Sequence, residues 1–195
     1  CFVLMFWALA IMGLKGSRNV AERKLFDESL IPVSEGSKIL SEDARQLARP
    51  LEALPETSRD YLLPRVLSVA LQRLGSGATI QEISAAIRDE CDVESQRLDT
   101  ELAMIRYIAW AIPSIGFIGT VRGIGAALAN AHEAIAGDIA GVTASLGVAF
   151  NSTFIALLIS IFIMFLSHQL TLQQERLVLA TQRYSDKNLL RHIKA

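Results

Sequence analysis

Two membrane-length apolar segments, each interrupted by small and hydroxylated residues, constrain this chain more than any other feature. The first contains Ile112-Pro113-Ser114-Ile115-Gly116-Phe117-Ile118-Gly119-Thr120-Val121-Arg122-Gly123-Ile124-Gly125, and the second is the run from Val142 to Ser167. A helix of about 20 apolar residues crosses the roughly 30 Å hydrocarbon core of a bilayer. Lipid does not select Gly, Ser and Thr inside such a span; close helix–helix contact does, and so does a hydrated path.

The charges are segregated to match. Net charge is −1, 20% of residues are charged and mean hydropathy is +0.35. From Tyr107 to Leu166 the Asp, Glu, Lys and Arg residues are Arg122, Glu133 and Asp138, whereas residues 15–106 are crowded with both signs. Such separation means membrane spans joined to a water-exposed domain. A near-zero net charge gives no electrostatic reason for a nucleic-acid partner. Cys1 and Cys91 fit no metal or redox spacing and read as bystanders in a reduced compartment.

The spans predict an all-α, polytopic membrane protein with three transmembrane helices. Residues 1–14 are apolar, but 14 helical residues rise only about 21 Å, so this run reads as the second half of a span whose start is missing. Residues 15–104 form a helical cytoplasmic domain, in which Pro32, Pro50, Pro55 and Pro64 limit helix lengths and Gly75-Ser76-Gly77 makes a break. Thr79-Ile80-Gln81-Glu82 then has the capping-box pattern. Ile80, Ile83, Ile87, Cys91, Leu98, Leu102 and Ile105 recur at steps of three, four or seven, predicting one long helix that enters the membrane near Arg106. Its stripe suits a face packed on the cytoplasmic domain or a face shared between neighbouring subunits.

Residues 105–168 form a helical hairpin with spans at about 107–128 and 142–167. The connector between them holds His132, Glu133 and Asp138 but no Lys or Arg. Residues 169–195 form an amphipathic cytoplasmic tail helix. Lys15, Arg18, Arg23 and Lys24 follow the first span, and Arg176, Arg183, Lys187, Arg191 and Lys194 follow the last. Basic flanks stay in the cytoplasm, so the spans run out-to-in, in-to-out and out-to-in.

No catalytic constellation, metal-ligand cluster or cofactor motif is visible, and the three histidines stand far apart at His132, His168 and His192. The chain reads as a non-enzyme. What remains is a polar seam. On the last span Ser145, Ala149, Ser152, Thr153, Ala156, Ser160 and Ser167 fall on or near one face, and on the preceding span Gly116, Gly119, Thr120 and Gly123 form a small-residue surface. Spacing alone admits two uses. One is helix packing in an oligomeric scaffold; the other is an ion path built from Thr120, Thr153, Ser152, Asn151 and Ser160. Pro113 removes a backbone donor, so a bend is expected there and a hydroxyl or water must satisfy the freed carbonyl. Arg122 either snorkels to the headgroups or faces a hydrated cavity or a partner's carboxylate.

These residues resemble the MotA/TolQ/ExbB proton-channel family. Gly116-Phe117-Ile118-Gly119-Thr120-Val121-Arg122-Gly123-Ile124 is similar to that family's G-L-L-G-T-V-x-G-I element, and Ala149-Phe150-Asn151-Ser152-Thr153-Phe154-Ile155-Ala156-Leu157 is similar to its A-x-x-x-T-x-x-G-L element. The resemblance implies that Thr120 and Thr153 take the places of two pore-facing threonines. It further implies a homopentamer in the bacterial inner membrane around single-span partners of the ExbD/TolR/MotB kind, each carrying an intramembrane Asp. Ion flow, of H⁺ or Na⁺, would protonate and release that Asp and drive flagellar torque, uptake, envelope maintenance or defence. Two positions depart from the uptake branch: Val148 stands where that branch has Glu, and Arg122 where Trp is common.

Overall fold

The computed structural model describes residues 1–26, 30–31, 38–135, 137 and 139–193. Pro32, Asp138, Lys194 and the side chain of Glu133 lie outside the described residues. The helices are α1 (Phe2–Lys24), α2 (Ala44–Glu52), α3 (Glu56–Arg59), α4 (Leu62–Gly75), α5 (Ile80–Ala129), α6 (Ala131–Ile135) and α7 (Ala140–Asn188). Among the described residues there is no strand, only an isolated bridge between Ile39 and Ile193. The chain forms two compact units, one of Cys1–Leu14 with Leu102–Leu170, the other of Lys15–Glu101 with Thr171–Ala195.

The polar-rich unit is built around α4. Leu62, Leu63, Val66, Leu67, Ala70, Leu71 and Leu74 recur at helical spacing and are all buried. Pro64 is tolerated because it sits in the first turn, where its missing N–H has no intrahelical partner. The helix ends at the expected break: Gly77 takes φ +80°, the Ala78 N–H reaches the Arg73 carbonyl at 3.1 Å and the Gly77 N–H reaches Leu74 at 3.0 Å. That paired closure satisfies the last carbonyls of α4 and needs a residue at ease in the left-handed region.

Both halves of the capping box then form. The Glu82 N–H donates to Thr79 Oγ1 at 3.3 Å, and the Thr79 N–H donates to Glu82 Oε2 at 2.7 Å. The Thr79 N–H, together with the Thr79 hydroxyl that donates to the same oxygen at 2.9 Å, holds the Glu82 carboxyl below its ordinary value. From this start α5 runs 50 residues without interruption. Its apolar stripe serves two cores in turn. Ile83, Ile87 and Cys91 are buried in the polar-rich unit with Leu98 packed beside them, whereas Leu102 and Ile105 belong to the apolar unit. Burial pushes the Cys91 thiol up to about 11, which leaves it an inert core residue.

Charged groups inside the polar-rich unit are paired. Arg65 bridges Glu90 at 3.2 Å and Glu94 at 2.7 Å, and Lys15 pairs with Glu101. Glu22, only 6% exposed, accepts the N–H of Leu62, the first residue of α4. A carboxylate there occupies the positive end of the helix and one of its unpaired amides. Burial nevertheless dominates and raises the Glu22 carboxyl above its ordinary 4.5, against the opposing effect of that hydrogen bond. Because the folded value is raised, the associated stability is fully present below 4.5 and is lost as pH rises through the folded value. Glu22→Gln keeps an acceptor for the Leu62 N–H but cannot ionise. Thermal melts across a pH series should therefore show the variant gaining on the wild type as pH rises from acid to neutral; parallel curves would contradict the assignment.

The apolar unit takes residues 102–129 of α5 and 140–170 of α7, the two described helices long and apolar enough to cross a membrane. Their outward faces carry Trp110, Phe117, Ile118, Val148, Phe150 and Ile161, all more than half exposed. A stripe of that size is suited to lipid or protein cover rather than water. Ala8 and Met12 of α1 are buried in the same cluster as Ile108, Ile112, Ala156 and Ile163.

Candidate functional site

The site is the seam where α5 meets α7. A bilayer supplies no hydrophobic drive between two helices, so their association depends on contact distance and hydrogen bonds. Three glycines of α5 set that distance. A Cβ on Gly116 would lie 2.5 Å from Ala156 Cβ, one on Gly119 would lie 2.7 Å from Ser152 Oγ, and one on Gly123 would lie 2.5 Å from Ala149 Cβ and 2.9 Å from its Cα. All three are closer than real Cβ contacts; at Gly116 and Gly123 the neighbours are alanine Cβ and backbone atoms that cannot turn away, whereas at Gly119 the nearest atom is a hydroxyl that can rotate. Ala149 and Ala156 are the reciprocal small residues, each fully buried.

Close approach brings Thr120 and Thr153 together. Their hydroxyls bond one another directly across the helix pair. Thr153 Oγ1 also donates to the Gly116 carbonyl at 2.9 Å, and Thr120 Oγ1 lies 3.1 Å from the Ala149 carbonyl. Each hydroxyl has one proton and two lone pairs, so the pair keeps acceptor capacity after these bonds are made. A group of this kind can accept from a protonated carboxyl and, by rotating a hydroxyl, donate to an ionised one.

The other candidates are placed differently. Ser152 faces Gly119 and returns its hydroxyl to the Ala149 carbonyl of its own helix at 2.8 Å. Asn151 is exposed, one position round the helix from the seam. Arg122 is also exposed and makes no hydrogen bond or ion pair among the described residues. Ser160 is 5% exposed, and its hydroxyl donates to the Ala109 carbonyl at 2.7 Å. Ala109 is four residues before Pro113, so this carbonyl is the one the proline leaves without an intrahelical donor. The helix continues through Pro113 without a break. A hydroxyl from the neighbouring helix replaces the missing N–H, as a span in lipid requires. The expectation that a hydroxyl or water must serve that carbonyl did not single out Ser160, because nothing in the local pattern links positions 109 and 160.

Against this geometry, the sequence profile of the MotA/TolQ/ExbB proton channel family matches residues 58–183. The chain belongs to the MotA/TolQ/ExbB proton channel family. The match takes in all of α4, α5 and the span of α7, and so covers Thr120, Thr153 and the three glycines. Membership places this protein among membrane channel proteins, a class that couples transport rather than one that catalyses covalent chemistry. No curated protein and no solved structure matches the chain. Among the described residues no cluster of three or more His, Cys, Asp or Glu could hold a metal ion.

The glycine contacts give a graded test. Gly123→Ala should destabilise the hairpin by about 1–3 kcal/mol, since the added methyl meets backbone as well as side chain. Gly125→Ala, whose Cβ would meet nothing within 4 Å, should be neutral or stabilise by about 0.5–1 kcal/mol. Unfolding of the purified protein in mixed micelles reads both; equal effects would contradict the seam geometry.

Proposed function

We propose that this protein is the wall-forming subunit of an ion-driven complex in the bacterial inner membrane. Five copies surround single-span partners of the ExbD/TolR/MotB kind, and each partner carries an aspartate within the bilayer. The observation that carries this reading is the Thr120–Thr153 hydroxyl pair, set between two apolar helices whose spans hold no Asp, Glu, Lys or His in their cores. A wall with hydroxyls but no titratable group needs its carboxylate from another chain. By helical rise, Thr120 and Thr153 each stand about 20 Å from the cytoplasmic end of their spans, inside the hydrocarbon layer.

In this mechanism the two threonines receive the partner aspartate. The ionised form accepts from a threonine hydroxyl; the protonated form donates to one. A potential of 100 mV supplies about 2.3 kcal/mol for each charge that crosses, and cycling the aspartate converts it into motion of the partner inside the ring. Gly116, Gly119 and Gly123 keep the wall closed, and Ser160 keeps α5 intact at Pro113. Ser152 and Asn151 border the threonines as secondary polar groups of the path, while Ser160 contributes below them. Arg122, toward the outer end of its span, is placed to meet the partner or the headgroups. Residues 1–14 supply a third span, with residues 15–104 and 169–195 on the cytoplasmic side.

A second reading, an oligomeric scaffold that uses the seam only for packing, draws on the bonds from Thr153 to the Gly116 carbonyl and from Thr120 to the Ala149 carbonyl. Thr153→Val separates the two, because it keeps shape and removes only the hydroxyl. Co-reconstituted with the partner in vesicles, the variant should lose ion conduction while native mass spectrometry shows an unchanged oligomer. Conduction at the wild-type level would leave only the scaffold.

A further inference from the structure

Two polar side chains within the spans have no use inside the chain. Arg122 on α5 and Asn151 on α7 are both exposed, and neither makes a hydrogen bond or ion pair among the described residues. A guanidinium or a carboxamide that meets only lipid is costly, so polar groups at membrane depth pair with other protein groups. Arg122 is long enough to snorkel. Asn151 is not, because it stands nine residues, about 13 Å, inside Val142, where the last span begins.

The bond between the Thr120 and Thr153 hydroxyls fixes the level of α5 against α7. Arg122 lies two residues from Thr120 and Asn151 two from Thr153, in both cases toward the connector between the helices. The two therefore stand at one height, about 3 Å beyond the threonines. At 3.6 residues per turn each also lies about 160° round its helix from its threonine, on an edge turned away from the seam. The neighbours along those edges match as well. The α5 edge reads Ile115, Arg122, Ala126, and the α7 edge reads Leu158, Asn151, Gly147. The steps are seven and four on both helices, so each residue is level with its counterpart. Ile115 is 41% and Leu158 52% exposed; Ala126 and Gly147 are exposed too, and a Cβ on Gly147 would meet nothing within 4 Å. Large apolar faces large apolar, small faces small, and a cation with five donors faces an amide acceptor.

Rotation about an axis normal to the bilayer leaves depth unchanged, so residues that meet across a ring interface lie at equal depth. We propose that Arg122 of one copy donates to Asn151 Oδ1 of the next, joining the α5 edge of each copy to the α7 edge of its neighbour. Different edges meet on the two copies, so the contact is heterologous and closes a ring rather than stopping at a dimer. An amide oxygen accepts at most two of the five guanidinium protons, so Arg122 keeps donors for the headgroups or the partner.

The pairing rests on the oligomeric reading above, and the test separates the two. In the full chain, Arg122→Leu and Asn151→Leu should each raise the protein concentration at which half the oligomer dissociates, by about threefold or more on native mass spectrometry. The double variant should be no worse than either single one, because both remove the same bond. Asn151→Asp should lower that concentration, and only while Arg122 is present. In a second arm, p-benzoylphenylalanine replaces Asn151 in one tagged copy, co-expressed in membranes with the partner and a differently tagged unmodified copy. Illumination should give a mixed-tag adduct whose cross-linked peptide lies within residues 115–126 of the other copy. An intact oligomer with additive Leu effects, or an adduct to the partner or to lipid alone, would overturn this pairing and leave the subunit reading standing. A monomer in the unmodified chain would overturn both.

Discussion

Everything in the apolar unit depends on how closely α5 and α7 approach. Lipid chains are as apolar as leucine, so two spans gain little by burying apolar side chains against each other. They gain by dispersion at short range and by hydrogen bonds made where no water competes. Gly116, Gly119 and Gly123 remove the atoms that would hold the backbones apart, and Ala149, Ser152 and Ala156 present little in return. Only at that separation can Thr120 and Thr153 reach each other and the carbonyls of the opposite helix. The hydroxyl pair is therefore a consequence of the glycines, and any ionic role for it inherits their geometry.

The proline shows the same economy. A proline within a transmembrane helix normally leaves a carbonyl exposed to lipid, which costs several kcal/mol unless a donor is found. Here the donor is Ser160 on the adjacent helix, buried and 2.7 Å from the Ala109 carbonyl. One side chain thus keeps α5 continuous and ties it to α7. Helix shape and helix pairing are not separable in this hairpin.

Much of this was legible in the sequence because it is written in local patterns. The capping box at Thr79 and Glu82, the break at Gly77 and the uninterrupted helix beyond them each depend on residues within one or two turns. The small-residue seam was legible for the same reason, as spacing along single helices. The pairings that join distant segments were not. Ser160 with Ala109, Glu22 with the Leu62 N–H, and Arg65 with Glu90 and Glu94 join positions 25 to 51 residues apart. No periodicity carries that information; it emerges only when the helices pack. The sequence also left Ser160 beside Thr153 as an equal member of the polar face, since spacing cannot tell a hydroxyl that serves the carbonyl freed by a proline from one paired with another hydroxyl across the seam.

The family match and the seam together turn the question from whether these helices pack to what stands against their hydroxyls. A cryo-electron microscopy map of the complex assembled with its partner in lipid nanodiscs, at a resolution that shows ordered water, answers it directly. Every copy should present Thr120 and Thr153 toward the central axis, with water or a partner carboxyl in contact. A dry axis, with those hydroxyls turned to lipid, would contradict the account.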